Sequence, residues 1–345
     1  MSARIERLLS ELEEPLLVTN RTNVFYLTGF RSSNAALLVE RQRVRLFTDF
    51  RYVEAARDVR EVELVQTPRA LVPHLAELLQ GRIAFEADSI TYAEHAALAR
   101  GGLDLVARTG VVERLRAVKG EEELEAIRRA AAITDRAYGR LAKEPFLGRT
   151  ERELAWQMEQ IFREEGSDEI AFPIIVATGA NGAKPHADPG DRRIEPGQTV
   201  VVDAGCTIAG YNSDCTRTFA TNGLPDRLRE AYAVCLDAHQ AGVEAVRAGA
   251  EGRAVDSVAR DRIDATGFKG MFGHGLGHGV GLEVHERPAL RPESADVLAA
   301  GNVVTVEPGI YIAGEGGIRI EDLVVVTDDG CQVLSEFTKE LVTVD

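Results

Sequence analysis

Asp203, Asp214, Glu307, Glu321 and His278, four acids and one imidazole, are the residues of this chain best suited to chemistry. Asp203 ends the apolar run Val200-Val201-Val202, Glu307 follows Val303-Val304-Thr305-Val306, and Glu321 ends Gly317-Ile318-Arg319-Ile320. Asp214 lies in Asn212-Ser213-Asp214-Cys215-Thr216-Arg217-Thr218, and His278 in the glycine-rich run Gly273-His274-Gly275-Leu276-Gly277-His278-Gly279. A carboxylate at the end of a buried strand is costly unless it is paired, protonated or bound to metal. The few nearby cations cannot pair with four of them. Two divalent ions are the economical explanation, and oxygen-rich ligation with a single imidazole favours Mn²⁺, Co²⁺ or Zn²⁺.

The elements that must position these residues are β-like runs set between long helices. Residues 199–206 and 213–220 read as strands joined by the turn Ala209-Gly210-Tyr211-Asn212, which places Asp203 and Asp214 on partner strands of one hairpin. Residues 303–307 and 318–326 repeat the layout around Gly314-Glu315-Gly316-Gly317. No internal repeat is visible in the residues themselves, but this doubling suggests a pseudo-symmetric sheet. Helices are expected over 121–141, 151–165, 226–246 and 255–266. The first has three acids in its opening turn and the second has Thr150 and Glu153 as a capping box. His239, inside the third helix, reads as a packed or solvated histidine rather than a ligand.

Ahead of these, residues 1–9 read as a short amphipathic helix. Short strands (16–18, 36–39, 44–47, 82–85) then alternate with helices (51–57, 70–79, 92–99) to make a small α/β domain. His74 and His95 fall in polar helical contexts and read as surface residues. The expected organisation is therefore an α/β two-domain (α+β) chain, with an N-terminal domain over 1–116 and a catalytic domain over 117–345.

At 345 residues, 45% hydrophobic and 28% charged, the chain is long enough for two well-packed cores. A net charge of −15 argues against nucleic acid and against an anionic membrane surface. No stretch reaches the roughly 20 apolar residues of a membrane span, and the N-terminus lacks a signal-peptide pattern. The four cysteines, Cys206, Cys215, Cys235 and Cys331, show no CxxC spacing and read as reduced thiols of a cytoplasmic protein. Strand alternation is expected to turn Cys215 away from its neighbour Asp214.

Val202-Asp203-Ala204-Gly205, Asp214-Cys215-Thr216-Arg217-Thr218, His274-Gly275-Leu276-Gly277-His278-Gly279-Val280-Gly281, Val284-His285-Glu286, Thr305-Val306-Glu307-Pro308-Gly309 and Arg319-Ile320-Glu321-Asp322 follow one another in a recognisable order. They resemble the motifs of the "pita-bread" metallopeptidases, and within them the Xaa-Pro aminopeptidases (aminopeptidase P) and Xaa-Pro dipeptidases (prolidases). Asn23-Val24-Phe25-Tyr26-Leu27-Thr28-Gly29-Phe30 is similar to a segment of the same branch, so the resemblance covers essentially the whole chain. It implies a creatinase-like N-terminal domain and a C-terminal domain built on a pseudo-symmetric curved antiparallel sheet. It also implies a homodimer acting on proline-containing peptides, with two metal ions per subunit.

By this resemblance Asp203 and Asp214 bind one metal, His278 and Glu307 complete the other, and Asp214 and Glu321 bridge them. The resemblance implies that a water held between two such ions would lose a proton near neutral pH and would then be the attacking group on the scissile carbonyl. Glu307 matches the family's proton shuttle. His285 matches the donor to the carbonyl oxygen, and His186, in Lys184-Pro185-His186-Ala187-Asp188-Pro189, matches a contact to the substrate backbone. Taken alone, either histidine would read as structural. His274 matches a residue of the proline pocket, its other reading being a loop residue without a role. Tyr311 and Arg319 align with substrate-side positions, and Arg319 serves equally well as the cation offsetting the acids.

A dipeptidase must grip a free carboxylate beside proline, a task suited to Arg. Some prolidases place an Arg directly after the His-Glu-x-Pro segment. Here His285-Glu286-Arg287-Pro288 is followed by Ala289, with Arg287 or Arg291 as substitutes. This favours a small aminopeptidase P, with the Xaa-Pro dipeptidase as the alternative. A methionine aminopeptidase shares the ligands but usually lacks so large an N-terminal domain. A metal-free binding module or a creatinase-like hydrolase should have lost at least one of these residues.

Overall fold

The computed structural model describes residues 2–345, and the chain divides between Arg116 and Ala117 into two compact units. The first unit is a six-stranded sheet of order β4-β3-β2-β1-β5-β6, where β1 is Leu16–Val18, β2 Ala35–Val39, β3 Val44–Asp49, β4 Glu63–Thr67, β5 Arg82–Glu86 and β6 Asp104–Arg108. β1–β2 and β2–β3 are antiparallel; the outer pairs are parallel. Leu17, Ala36, Leu38 and Phe47 pack against Leu71, Leu75, Leu79 and Leu98 of the covering helices. The helix expected over 51–57 shrinks to the single turn Val53–Ala56, and the segment around Asn23 forms the helix Arg21–Thr28, capped by the Asn20 side chain. His74 and His95 are partly buried, His95 lying against Phe85 at 5.2 Å between ring centroids.

The second unit carries the acids. Its first half is a four-stranded sheet of order β20-β12-β9-β8, with β8 Ile175–Thr178, β9 Thr199–Asp203, β12 Thr216–Thr221 and β20 Thr343–Val344. Between β9 and β12 come β10 (Cys206–Ile208) and β11 (Tyr211–Asn212), which pair in a separate sheet with β7 (Glu169–Ile170). The second half has the order β14-β13-β15-β18-β19, from β13 Gly277–Gly279, β14 Glu286–Leu290, β15 Val303–Val306, β18 Asp322–Val326 and β19 Cys331–Val333. Between β15 and β18, β16 (Gly309–Ile312) and β17 (Gly316–Arg319) again form a sheet of their own.

Each expected hairpin is thus broken in the middle. β9 pairs with β12 up to Asp203 opposite Thr216, and β15 with β18 up to Val306 opposite Asp322. Beyond these points the chains leave the sheet and re-pair as β10–β11 and β16–β17. Asp214 therefore sits in the break rather than on a partner strand of Asp203, and Glu307 and Glu321 fall in the corresponding break of the other hairpin. The breaks are knitted across the two halves: Glu321 N–H donates to Thr216 O (3.1 Å) and Asn212 N–H to Gly281 O (2.9 Å). The tight turn of β10–β11 takes Ala209 and Gly210 at φ 52° and 91°, as a right-twisted hairpin requires.

Two helix pairs back the sheets. Glu121–Leu141 and Glu151–Glu164 bury Ile133, Ala137, Leu154, Met158 and Phe162 against Val176, Val200, Val202 and Phe219. Asp226–Ala245 and Gly252–Asp264 bury Tyr232, Cys235, Val255 and Ile263 against Val304, Val306, Ile310 and Ile320. The reciprocal Thr150–Glu153 cap is present, each bond satisfying an N–H that the helix itself cannot. No helix of the described residues is long and apolar enough to cross a membrane.

Gly205 follows Ala204 where β9 leaves its sheet, and a Cβ there would lie 2.0 Å from Ser213 O. Backbone cannot step aside as a flexible side chain can, so Gly205→Ala should destabilise the protein by at least about 1–3 kcal/mol. Gly139, inside a helix with open space at its Cβ, is the control. Gly139→Ala should stabilise by about 0.5–1 kcal/mol. Urea denaturation of both variants checks the contrast, and equal effects would remove the close-approach argument.

Candidate metal centre

The two hairpin breaks and the His278 strand converge. Ligand-capable atoms of Asp214, His278 and Glu321 lie within 4.8 Å of one another. His278 Nε2 is 3.7 Å from Asp214 Oδ2 and 3.2 Å from Glu307 Oε1. Its Nδ1 is 3.1 Å from Gly279 O, which can only accept, so Nδ1 carries a hydrogen and Nε2 is the atom turned toward the acids. Asp203 stands beside them through Arg319, whose Nη2 donates to Asp203 Oδ2 at 2.6 Å. The other oxygen, Asp203 Oδ1, is buried with no hydrogen-bond partner.

Burial sets the electrostatics. Asp214 and Glu321 are pushed well above ordinary carboxylate values by burial first and then by their neighbouring acids. Burial also raises Asp203, partly offset by Arg319. Burial would raise Glu307 too, but the hydrogen bond and charge of His278 overcome it and hold Glu307 ionised. The same contact raises His278 against its own burial. One guanidinium and one imidazolium can balance two of the four acids, so ionising Asp214 and Glu321 as well leaves negative charge uncompensated. An unpartnered carboxylate oxygen, acids that burial would neutralise and an imidazole nitrogen aimed at them all fit divalent cations.

The neighbours fall into place around this core. Arg319 is buried and uses four of its five N–H groups: besides Asp203, it donates to Thr216 Oγ1 (3.0 Å), Tyr311 Oη (2.9 Å) and Pro185 O (3.1 Å). The contact with Asp203 agrees with its reading as a cation that offsets the acids, a role that does not exclude the substrate-side one. Tyr311 Oη lies 2.9 Å from His274 Nε2, while His274 Nδ1 lies 2.8 Å from Gly275 O. Since that carbonyl only accepts, Nδ1–H donates to it and the Tyr311 hydroxyl donates to Nε2. A chain of hydrogen bonds therefore runs Asp203–Arg319–Tyr311–His274. Burial lowers His274, keeping it neutral, and raises Tyr311 to about 12. His285 is exposed, with its ring edge-on to His278 at 4.1 Å. His186 is also exposed, and burial is the main cause that lowers His285. His239 is buried beside Asp322 (Nε2 to Oδ2, 3.4 Å), outside the cluster.

Three supporting residues escaped the sequence reading. Thr216 donates to Glu321 Oε2 (2.7 Å) while accepting from Arg319. Thr305 lies 3.2 Å from Glu307 Oε1 and accepts from His278 N–H. Tyr138 Oη bridges Val202 O (2.9 Å) and Cys215 O (2.7 Å), the carbonyls beside Asp203 and Asp214. The threonine signal was available, because Thr216 and Thr305 stand two residues from an acid, on the same side of an extended chain. Tyr138 gave none, being one apolar position among many on its helix. Cys215 is buried in the core with its thiol toward Glu321 O (3.6 Å).

Arg319→Gln would leave Asp203 buried without its cation. The metal-free variant should lose about 3–5 kcal/mol of stability. Thermal unfolding in chelator checks this, and a loss below about 1 kcal/mol would show that Arg319 does not balance the cluster.

Comparison with known proteins agrees with this geometry. Residues 125–328 match the model of metallopeptidase family M24, and residues 4–118 that of the Creatinase/Prolidase N-terminal domain. The chain is 32% identical to the Xaa-Pro dipeptidase of Pyrococcus furiosus, over 99% of this chain and 100% of that one. Its fold superimposes on an Xaa-Pro dipeptidase from Bacillus anthracis with TM-score 0.94 at 37% identity, covering 99% of each chain. It superimposes on an X-Pro aminopeptidase from Thermotoga maritima with TM-score 0.89 at 33% identity, over 99% and 100%. The chain belongs to metallopeptidase family M24, with a creatinase/prolidase N-terminal domain preceding the metallopeptidase domain.

Proposed function

We propose that this protein is a dinuclear metallopeptidase hydrolysing the bond between a residue and a following proline. The observation that carries the reading is the convergence of Asp214, His278 and Glu321, with Asp203 and Glu307 beside them, in one buried and over-acidic cluster. Asp203 and Asp214 would hold one ion, His278 and Glu307 the second, with Asp214 and Glu321 shared. Two divalent ions there, Mn²⁺ or else Co²⁺ or Zn²⁺, would supply the Lewis acidity to acidify a water and polarise the scissile carbonyl.

The chain's own groups do the rest. Glu307, held ionised by His278, accepts a proton and returns it to the leaving nitrogen. His285, kept neutral by partial burial and by His278, presents an N–H to the carbonyl oxygen as charge develops on it. His186 faces the substrate backbone from a segment tethered by the Arg319–Pro185 bond. His274, fixed by Tyr311 and set edge-on to Phe272 at 4.9 Å, offers ring surface to a proline.

Between the two Xaa-Pro activities, full-length similarity to named dipeptidases from two organisms supports the dipeptidase. The sequence reading ranked aminopeptidase P first because Ala289 follows Pro288. That remains the second reading, supported by the Thermotoga maritima likeness and by Arg287, which is turned to Asp296 (3.2 Å). Hydrolysis of matched Xaa-Pro and Xaa-Pro-Ala peptides by chelator-treated protein, with and without Mn²⁺, tests both. Mn²⁺-dependent cleavage favouring the dipeptide is expected. Preference for the tripeptide would give the aminopeptidase, and no cleavage of either would refute the proposal.

The raised acids also set a pH dependence. Below their ordinary values of 3.8 and 4.5, Asp214 and Glu321 are protonated whether folded or not. As pH rises past those values the unfolded chain releases protons first, so stability of the metal-free protein falls until the folded groups ionise. Divalent ions bind the ionised forms and oppose that loss. The rise in Tm on adding Mn²⁺ should therefore grow between about pH 5 and about pH 8, and a rise independent of pH would contradict the assignment.

A further inference from the structure

Next to His285 in the chain, Glu286 belongs to an ion pair that the proposed mechanism does not use. Lys119 Nζ is 2.6 Å from Glu286 Oε1, and the side chains are only 1% and 4% exposed. Such burial of two charges needs a reason, because a well-packed apolar pair is often as stable. Glu286 immediately follows His285 and stands opposite Gly279 in the β13–β14 ladder, where the register shifts between His278 and Gly279. Its carboxylate folds back on the glycine loop: a Cβ at Gly281 would lie 2.3 Å from Glu286 Oε1. Gly281 N–H in turn donates to Glu283 O (3.0 Å), and Gly281 O accepts from Asn212 N–H. Lys119 is itself anchored. Its backbone N–H donates to Gly301 O (2.9 Å), and Ala117 O accepts from Asn302 Nδ2 (2.9 Å). By contrast, no hydrogen bond to a described residue holds the exposed His285 ring, which rests on His278 alone among ring contacts.

We infer that the Lys119–Glu286 pair is a positioning device: it pins the 279–286 segment to the anchored stretch before the first long helix, and so fixes where His285 stands relative to His278. The inference rests on the proposed role of His285. On this inference the pair acts through the backbone of the segment and not on the reacting groups.

The test compares Glu286→Gln, Lys119→Arg and the doubly neutral Lys119→Met/Glu286→Gln, each at a temperature well below its own Tm. Bound Mn²⁺ should be unchanged in all three. Glu286→Gln should lower kcat on the preferred Xaa-Pro peptide by about 10- to 100-fold with little change in KM, while Lys119→Arg, which keeps the pair, retains most of kcat. The double variant, which removes both charges of the pair, should recover Tm yet keep the low kcat. A second readout needs no turnover: amide hydrogen exchange across 279–286 in metal-free protein should rise in Glu286→Gln and in the double variant. Native kcat in a stable double variant would overturn the inference, as would unchanged exchange. Failure of the wild type to cleave any Xaa-Pro peptide would instead strike the proposed function, and the exchange result would still stand or fall by itself.

Discussion

Negative charge gathered where water is scarce is the constraint that organises this molecule. Asp203, Asp214, Glu307 and Glu321 converge in the second unit, and Asp214 and Glu321 are almost fully buried. Isolated burial of even one such group is prohibitive, and proteins escape by protonation, pairing or metal. This structure shows each escape in part. Glu307 leans on His278, Asp203 on Arg319, and Asp214 and Glu321 are pushed toward protonation. On the proposed function, divalent cations would resolve the remainder and turn a folding liability into a reaction centre.

The fold delivers the acids by interrupting its own strands. A regular hairpin would turn alternate side chains to opposite faces and keep ligands on one pleated surface. Breaking both long hairpins at the acids lets Asp203 and Asp214 meet Glu307 and Glu321 across the sheets, and the chain re-pairs at once so that few backbone groups are orphaned. A hydrogen bond from Glu321 to Thr216 holds the two breaks together, and one from Asn212 to Gly281 ties the first to the segment after His278. The doubled layout also doubles the support, since each half has its own helix pair and its own apolar core.

The sequence made some of this legible and hid the rest for physical reasons. Helices carry their signals locally, so the capping box at Thr150 and the acids after Gly120 marked their starts correctly. Asp203 and Glu307 stood out as charges at the ends of apolar runs, whereas Asp214 and His278 stood out only through the motifs around them. The hairpin breaks were not legible, because strand pairing is a long-range choice and residues 199–221 read equally well as one continuous hairpin. Arg319 was ambiguous for a similar reason, as a guanidinium announces charge but not which partners its five N–H groups will meet. Short edge strands such as Glu63–Thr67, with exposed and half-buried residues, offered too little alternation to be read. Lys119 and Glu286 lie 167 positions apart and show no local signature of their pairing.

The measurement that bears most directly on the central claim is anomalous diffraction from crystals grown with Mn²⁺. The account requires two peaks per chain, both contacted by Asp214 and Glu321, one also by Asp203 and the other by His278 and Glu307. A single peak, or manganese bound only outside this cluster, would contradict it.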